Sequence, residues 1–330
     1  MMPVNRWHLG PLASGPSVVA FGGGHGLAAS LGALRRVTHR LSAVVGVADN
    51  GGSSGRLREQ LGVLPPGDMR MALAAMCGDD AWGQTWSRVV QHRFGGGGEL
   101  QGHSLGNLLI AALWEECGDV VAGLDLVGSL LEAEGRVLPV ALAPLEFVAD
   151  VVFPGSDQAV EVRGQVAVAT TTGIVQSVRV EPADPIPCPE VLEAVAEADH
   201  LVLGPGSWYT SVTAPLLVPS VRRAIVASEA KRWLVLNLCA QPGETSGFAA
   251  HTHLEVWRRD FPGIGLHGVI ADPGSVADVA ELQRAADTLG ANVHLRPLAS
   301  GDPADGIHDP DLLAAAFGAL FGRGRITPWP

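Results

Sequence analysis

The 330-residue sequence has a single lysine, a single tyrosine (Tyr209) and only 5% aromatic residues. A surface of interleaved aromatic and basic side chains for stacking single-stranded nucleic acid is therefore missing. The formal net charge of −12 argues likewise against general nucleic-acid binding. The four cysteines, at 77, 117, 188 and 239, show no C-x-x-C spacing, which removes zinc-ribbon and thioredoxin-type sites. Reduced, buried thiols in a cytoplasmic protein are expected instead. No stretch approaches the roughly 18 uninterrupted apolar residues of a membrane helix, and MMPVNRWHLGPLASGPS has no apolar targeting core, so neither a membrane span nor a leader is expected. There is no G-x-x-x-x-G-K-[ST] and no G-x-S-x-G. His251-Thr252-His253 is not H-E-x-x-H; two such histidines would not share a helix face, so they read as surface residues.

What is present is a core. Hydrophobic residues make up 47% and charged residues 17%, which excludes a disordered chain. Glycine is frequent, at 42 residues, but without a triplet period, so collagen is excluded. Charge is uneven. Residues 1–100 carry nine Arg against six Asp/Glu, a net of +3, and the remainder is strongly acidic. An anion is best received by the N-terminal third.

Short apolar β-branched runs alternate with helical stretches. Ser17–Phe21 and Ser42–Ala48 read as parallel strands around a helix from about Leu27 to Val37. Helices are predicted over 68–77, 82–92, 104–117 and 119–132. Residues 137–181 change character and read as an antiparallel β-rich insertion. Strands return at His200–Leu203, Trp233–Cys239, Leu266–Ala271 and Val293–Arg296, with helices between them and a last helix over 311–321. The predicted fold is α/β: a single doubly wound, mostly parallel Rossmann-like domain over 1–330 with a small inserted antiparallel region.

In such a sheet, ligands bind beyond the carboxyl ends of the strands. Six polar glycine turns lie at predicted strand or helix ends. The first is Gly22-Gly23-Gly24-His25-Gly26, which opens a helix and matches G-x-G-x-x-A from Gly24. Backbone N–H groups in that setting receive phosphate. The second joins Asp49 and Asn50 to Gly51, Gly52, Ser53, Ser54, Gly55 and Arg56. Its glycines let backbone approach a ligand, its serines offer hydroxyls, and Arg56 offers a fork for phosphate. Asp49 stands where a nicotinamide dehydrogenase would hold a ribose; a flexible surface loop is the plainer alternative. In the third, Pro65-Pro66-Gly67-Asp68, the carboxylate either caps a helix or meets ligand. In the fourth, His103 and the N-cap candidate Ser104 precede Asn107 in a first helical turn. The fifth supplies Gly204, Gly206, Ser207 and Thr210, and the sixth Gln241, Glu244 and Thr245. Each alone is ordinary turn chemistry. Together they point to a polyanionic, sugar-bearing ligand.

The strings FGGGHGL (21–27), VADNGGSSGRLR (47–58), LPPGDMR (64–70), GHSLGNLLIAAL (102–113), LGPGSWYTS (203–211), NLCAQPGET (237–245) and HDPDLLA (308–314) resemble the YvcK/CofD family, nearest its YvcK-like branch of gluconeogenesis factors. The resemblance implies a UDP-sugar ligand such as UDP-N-acetylglucosamine. It also implies a regulatory role in gluconeogenic growth, cell shape and cell-wall precursor supply. A cytoplasmic homo-oligomer is expected. The CofD branch implies instead an Mg²⁺-dependent phospholactyl-type transferase, with Asp49 on the metal side. On the resemblance, Gly24, Gly26, Asp49, Gly51, Gly52, Ser53 and Arg56 fall on nucleotide- and phosphate-binding positions. Three departures stand out. Asn50 replaces a second acid, Ile307 replaces an arginine before the HDP string, and Met71 replaces an asparagine after Arg70.

Overall fold

The structure, a computed structural model, describes residues 15–321; most of the segment read above for a leader lies outside them. The chain opens with β1 (Val18–Gly22), α1 (Gly24–Leu34) and β2 (Leu41–Val45), with β1 and β2 paired in parallel from Val18↔Leu41 to Gly22↔Val45. Five helices follow: α2 (Gly52–Leu61), α3 (Gly67–Ala75), α4 (Ala81–Gln91), α5 (Leu105–Cys117) and α6 (Val120–Leu131). They lead to β3 (Arg136–Pro139), which pairs in parallel with β2. Then come β4 (Glu146–Val152), β5 (Ala159–Arg163), the short helix α7 (Gln165–Ala169) and β6 (Ile174–Glu181). These three strands form a separate antiparallel sheet in the order β5-β4-β6.

The chain then returns through α8 (Pro189–Ala196), β7 (His200–Leu203), α9 (Pro219–Ala227), β8 (Lys231–Val235), α10 (Ala250–Asp260), β9 (Gly268–Ala271), α11 (Val279–Asp287), β10 (Asn292–Leu295) and α12 (Pro310–Phe321). The main sheet has seven strands, all parallel, in the order β10-β9-β8-β7-β1-β2-β3. Helices cover both faces. Accordingly β1, β7 and β9 are buried along their whole length, as continuous apolar strands of a covered parallel sheet must be. The chain runs outward from β1 through β2 and β3, then restarts at β7 on the other side of β1. The order therefore reverses between β1 and β7, and a crevice opens at their carboxyl ends.

Some predicted boundaries move. The glycine run after β1 is already helical from Gly24. The stretch after Asp49 is α2 from Gly52, not a free loop. Residues 136–139 belong to the edge of the parallel sheet, so the antiparallel region is narrower than 137–181 and runs over 146–181. β8 starts at Lys231 and ends at Val235; the residues after it leave the sheet for the crevice. His253 is buried in α10 with its ring edge-on to Trp208. That corrects its reading as a surface residue, because one face of α10 packs inward. Cys77 and Cys188 are buried as expected, whereas Cys239 is exposed. Among the described residues no helix is long and apolar enough to cross a membrane.

Candidate ligand site at the strand-order reversal

At the reversal the first turn of α1 and the loop after β7 touch through backbone. A Cβ on Gly26 would stand 2.2 Å from the Pro205 carbonyl oxygen and 2.7 Å from Gly206 Cα, so only glycine permits this approach. The Ser30 hydroxyl donates to the Gly204 carbonyl at 2.9 Å and locks α1 to the end of β7. Gly206 is clamped by Asn237, which accepts from its N–H at 2.9 Å and donates to its carbonyl at 2.8 Å. Asn237 stands two residues beyond the end of β8 and was not singled out from sequence, where it fell inside the strand expected over Trp233–Cys239.

Three helix N-termini converge on the crevice. A Cβ on Gly23, the residue before α1, would stand 2.4 Å from Asp68 Oδ2, in the first turn of α3. The Ser54 hydroxyl of α2 accepts from Gly67 N–H at 3.0 Å. A Cβ on Gly67 would meet Asp49 Oδ2 at 3.4 Å. None of α1, α2 and α3 has a side-chain cap hydrogen bond. Asp80, Asp119 and Asp278 cap α4, α6 and α11, whereas α5, α8, α9 and α10 also lack a side-chain cap. At the crevice, Gly67 N–H is taken by Ser54 and Gly24 N–H by Asp68; the helix starts carry no bond from their own N-cap side chains, and the partial positive charge gathered there favours an anion. Gly24 and Gly52 open α1 and α2 at φ +59 and +47, with nothing within 4 Å of the Cβ each lacks. Both combine a left-handed backbone with open space in front of it.

Two carboxylates face this space. Asp49 accepts from Gly51 N–H at 2.8 Å. Asp68 does not cap α3; it sits within the first turn. Burial, and next the charge of Asp49, push its carboxyl up to about 7, against the opposing pull of the Gly24 N–H and Arg70. Ser211 Oγ also reaches Gly23, 3.6 Å from the Cβ that residue lacks.

The remaining expected residues divide. Ser53 accepts from the Asn107 amide at 3.0 Å and lies 3.0 Å from His103 Nδ1; all three are buried. Burial and the Arg56 charge lower the His103 pKa. Arg56 donates to the Gln101 carbonyl at 2.7 Å and the Glu99 carbonyl at 3.4 Å. It fastens α2 to the loop before α5. His25 is exposed in the first turn of α1. Asn50 accepts from Val166 N–H at 3.1 Å, and Gln165 donates to the Thr210 carbonyl at 3.1 Å. α7 of the inserted sheet therefore straps the loops after β2 and β7 together.

Glu244 is buried. It accepts from Tyr209 N–H at 2.7 Å, from Thr210 N–H at 3.3 Å and from the Thr210 hydroxyl. Burial raises its pKa despite those donors. Glu244 and Thr210 thus brace the loop after β7 from within, while Ser207 precedes its short helical segment without a side-chain cap bond. Thr245 accepts from Gln241 N–H at 2.8 Å, and Gln241 accepts from the Asn237 amide at 3.2 Å. This group holds the clamp on Gly206. Among the described residues no group of three or more His, Cys, Asp or Glu side chains is placed to hold a metal ion.

The fold defines the class: a doubly wound, Rossmann-like α/β protein with a small antiparallel sheet inserted. Residues 18–294 match the family model described as 2-phospho-L-lactate transferase CofD. The chain is 49% identical to the "Putative gluconeogenesis factor" of Mycobacterium leprae, over 92% of this chain and 86% of that protein. It is 36% identical to the "Gluconeogenesis factor" of Bacillus subtilis strain 168, over 73% of each. A crystal structure of a Bacillus halodurans protein superposes with a TM-score of 0.81 at 31% identity, covering 92% of this chain and 99% of that one. The chain belongs to the YvcK/CofD family, and its relatives within it are gluconeogenesis factors.

Proposed function

We propose that the crevice binds a UDP-sugar, with UDP-N-acetylglucosamine as the type ligand. On this reading the protein acts by reporting that ligand rather than converting it, in support of gluconeogenic growth, cell shape and cell-wall precursor supply. One observation carries the reading: three helix N-termini without side-chain caps meet at the strand-order reversal, with Gly24 and Gly52 open in front of them. A diphosphate would complement the partial positive charge of these helix starts and accept from first-turn N–H groups that Ser54 and Asp68 do not take. The names of the relatives support the gluconeogenic role. Glu244 is committed to three donors that brace the loop after β7, so on this reading it serves the fold of the site and not a proton transfer. A thermal-shift panel of UDP-sugars, GDP and NAD tests it. UDP-sugars should raise the melting temperature most, with no UMP or UDP released; steady product release overturns the regulatory reading.

A second reading, an Mg²⁺-dependent transferase, is favoured by the Asp49–Asp68 pair. A carboxylate whose proton affinity is raised by burial and by a neighbouring carboxylate, as Asp68 is by Asp49, suits a divalent cation completed by phosphate oxygens. Asp49 and Asp68 would hold it, and the ion would supply charge neutralisation for a phosphoryl group. Product formation that requires Mg²⁺ and is lost in Asp49→Asn would establish this reading.

A further inference from the structure

Arg70 is only 5% exposed. It forms no salt bridge among the described residues, and its Nε has no hydrogen-bond partner. Its stem packs on α5: a Cβ on Gly106 would stand 2.9 Å from Arg70 Cγ. Two more buried polar atoms lack partners at this helix start. They are Ser104 Oγ at the N-cap, which makes no cap bond, and Asn107 Oδ1 in the first turn. Arg93 faces Ser104 across an isolated antiparallel bridge, and among the described residues its guanidinium donates only to the Gly102 carbonyl, at 3.0 Å. Its charge lowers the Arg70 pKa after burial does. Arg56 borders the same loop and is likewise bonded only to carbonyls.

A buried guanidinium leaving a donor unmade costs about 1–3 kcal/mol, and Arg93 repels Arg70 while the Asp68 carboxylate only partly offsets that and forms no salt bridge with it among the described residues. Packing of the Arg70 stem explains the stem alone. We infer that Arg70, Arg93 and the uncapped N-terminus of α5 form a phosphoryl-binding subsite on the flank of the crevice. The subsite is linked to the crevice through Ser53, which bonds Asn107 on α5 from the first turn of α2. A phosphoryl group accepts from guanidinium forks and from a serine hydroxyl together, and a planar fork holds two of its oxygens at once. The group comes either from the diphosphate of the nucleotide-sugar, in which case the inference rests on the reading above, or from a separate phosphate.

Calorimetric titrations of UDP-N-acetylglucosamine, uridine and inorganic pyrophosphate into wild type, Arg70→Met, Arg70→Lys and Arg93→Met test it. Tenfold or greater weakening of pyrophosphate by both Met variants, and partial rescue by Lys, is the expected result. Parallel weakening of the UDP-sugar with uridine unchanged assigns the subsite to the ligand's own diphosphate. Unchanged UDP-sugar affinity, with pyrophosphate lost, assigns it to a separate phosphate. If wild type binds pyrophosphate but no UDP-sugar, the UDP-sugar reading fails and the subsite stands. Pyrophosphate bound equally by wild type and Arg93→Met, or by none of the four proteins, overturns the subsite. Arg93 is exposed, so that arm holds even if Arg70→Met does not fold.

Discussion

Replacing Asp68 by Asn tests the electrostatics of the crevice directly. The folded chain holds the Asp68 carboxyl at about 7 against an ordinary 3.8. That displacement is worth about 4 kcal/mol at about 1.4 kcal/mol per tenfold change in proton affinity. Solvent reaches the half-buried side chain and screens the Asp49 charge, so about 2–4 kcal/mol is the working range. Because the folded state binds this proton more tightly than the unfolded state, the group's contribution is fully favourable below about pH 4. It is lost as pH rises towards 7. Asn mimics the protonated form at every pH. Urea unfolding should therefore show wild type and Asp68→Asn equal near pH 4, and the variant more stable by about 2–4 kcal/mol at pH 8. Comparing the two proteins at each pH cancels every other titration. A stability difference that stays flat from pH 4 to 8 would refute a carboxyl strained by burial and by Asp49.

Other consequences follow from the same geometry. Gly26→Ala must part the loops after β1 and β7, because its Cβ would meet backbone at 2.2 Å. A loss of about 1–3 kcal/mol in thermal or urea unfolding is expected, with ligand binding abolished; an unchanged melt would contradict the contact. Glu244→Ala leaves the Tyr209 and Thr210 N–H groups without their acceptor. It should cost about 1.5–3 kcal/mol of stability by chemical denaturation, and no change would remove its bracing role. Asp49→Ala should weaken UDP-sugar binding by about 1–3 kcal/mol, as for a charge-assisted bond. Arg56→Ala should do the same and also loosen the 99–102 loop, seen as faster amide exchange there. Calorimetry with full affinity in both variants would take the loop after β2 out of the site.

Most of the fold was legible because the buried strands are short apolar runs punctuated by glycine, so β1, β2, β7 and β9 announce themselves by composition. The first turns of α1 and α2 were hidden for the opposite reason. Gly24 and Gly52 lower helix propensity, and only the tertiary setting makes them helical starts. β3 was absorbed into the insertion because four residues give too little period to separate a parallel edge strand from an antiparallel one. The glycine turns were visible, but which side chains face the crevice and which brace it was not. Glu244 and Thr210 look like ligand groups in sequence, yet they spend their bonds on each other. Arg70 was read only as part of a motif, since burial of a lone guanidinium against Gly106 depends on α3 and α5 meeting.

The central claim is that the N-termini of α1, α2 and α3 hold the diphosphate of a UDP-sugar. Calorimetric titration of UDP-N-acetylglucosamine into wild type beside Gly52→Val tests it most directly. Gly52 sits at φ +47 with nothing within 4 Å of its missing Cβ. The added side chain therefore strains the left-handed backbone and fills only the space assigned to the ligand. Saturable binding by wild type, and at least tenfold weaker binding by a variant that still melts cooperatively, is the predicted result. Equal affinity in the two proteins, or no saturable binding by wild type, would contradict it.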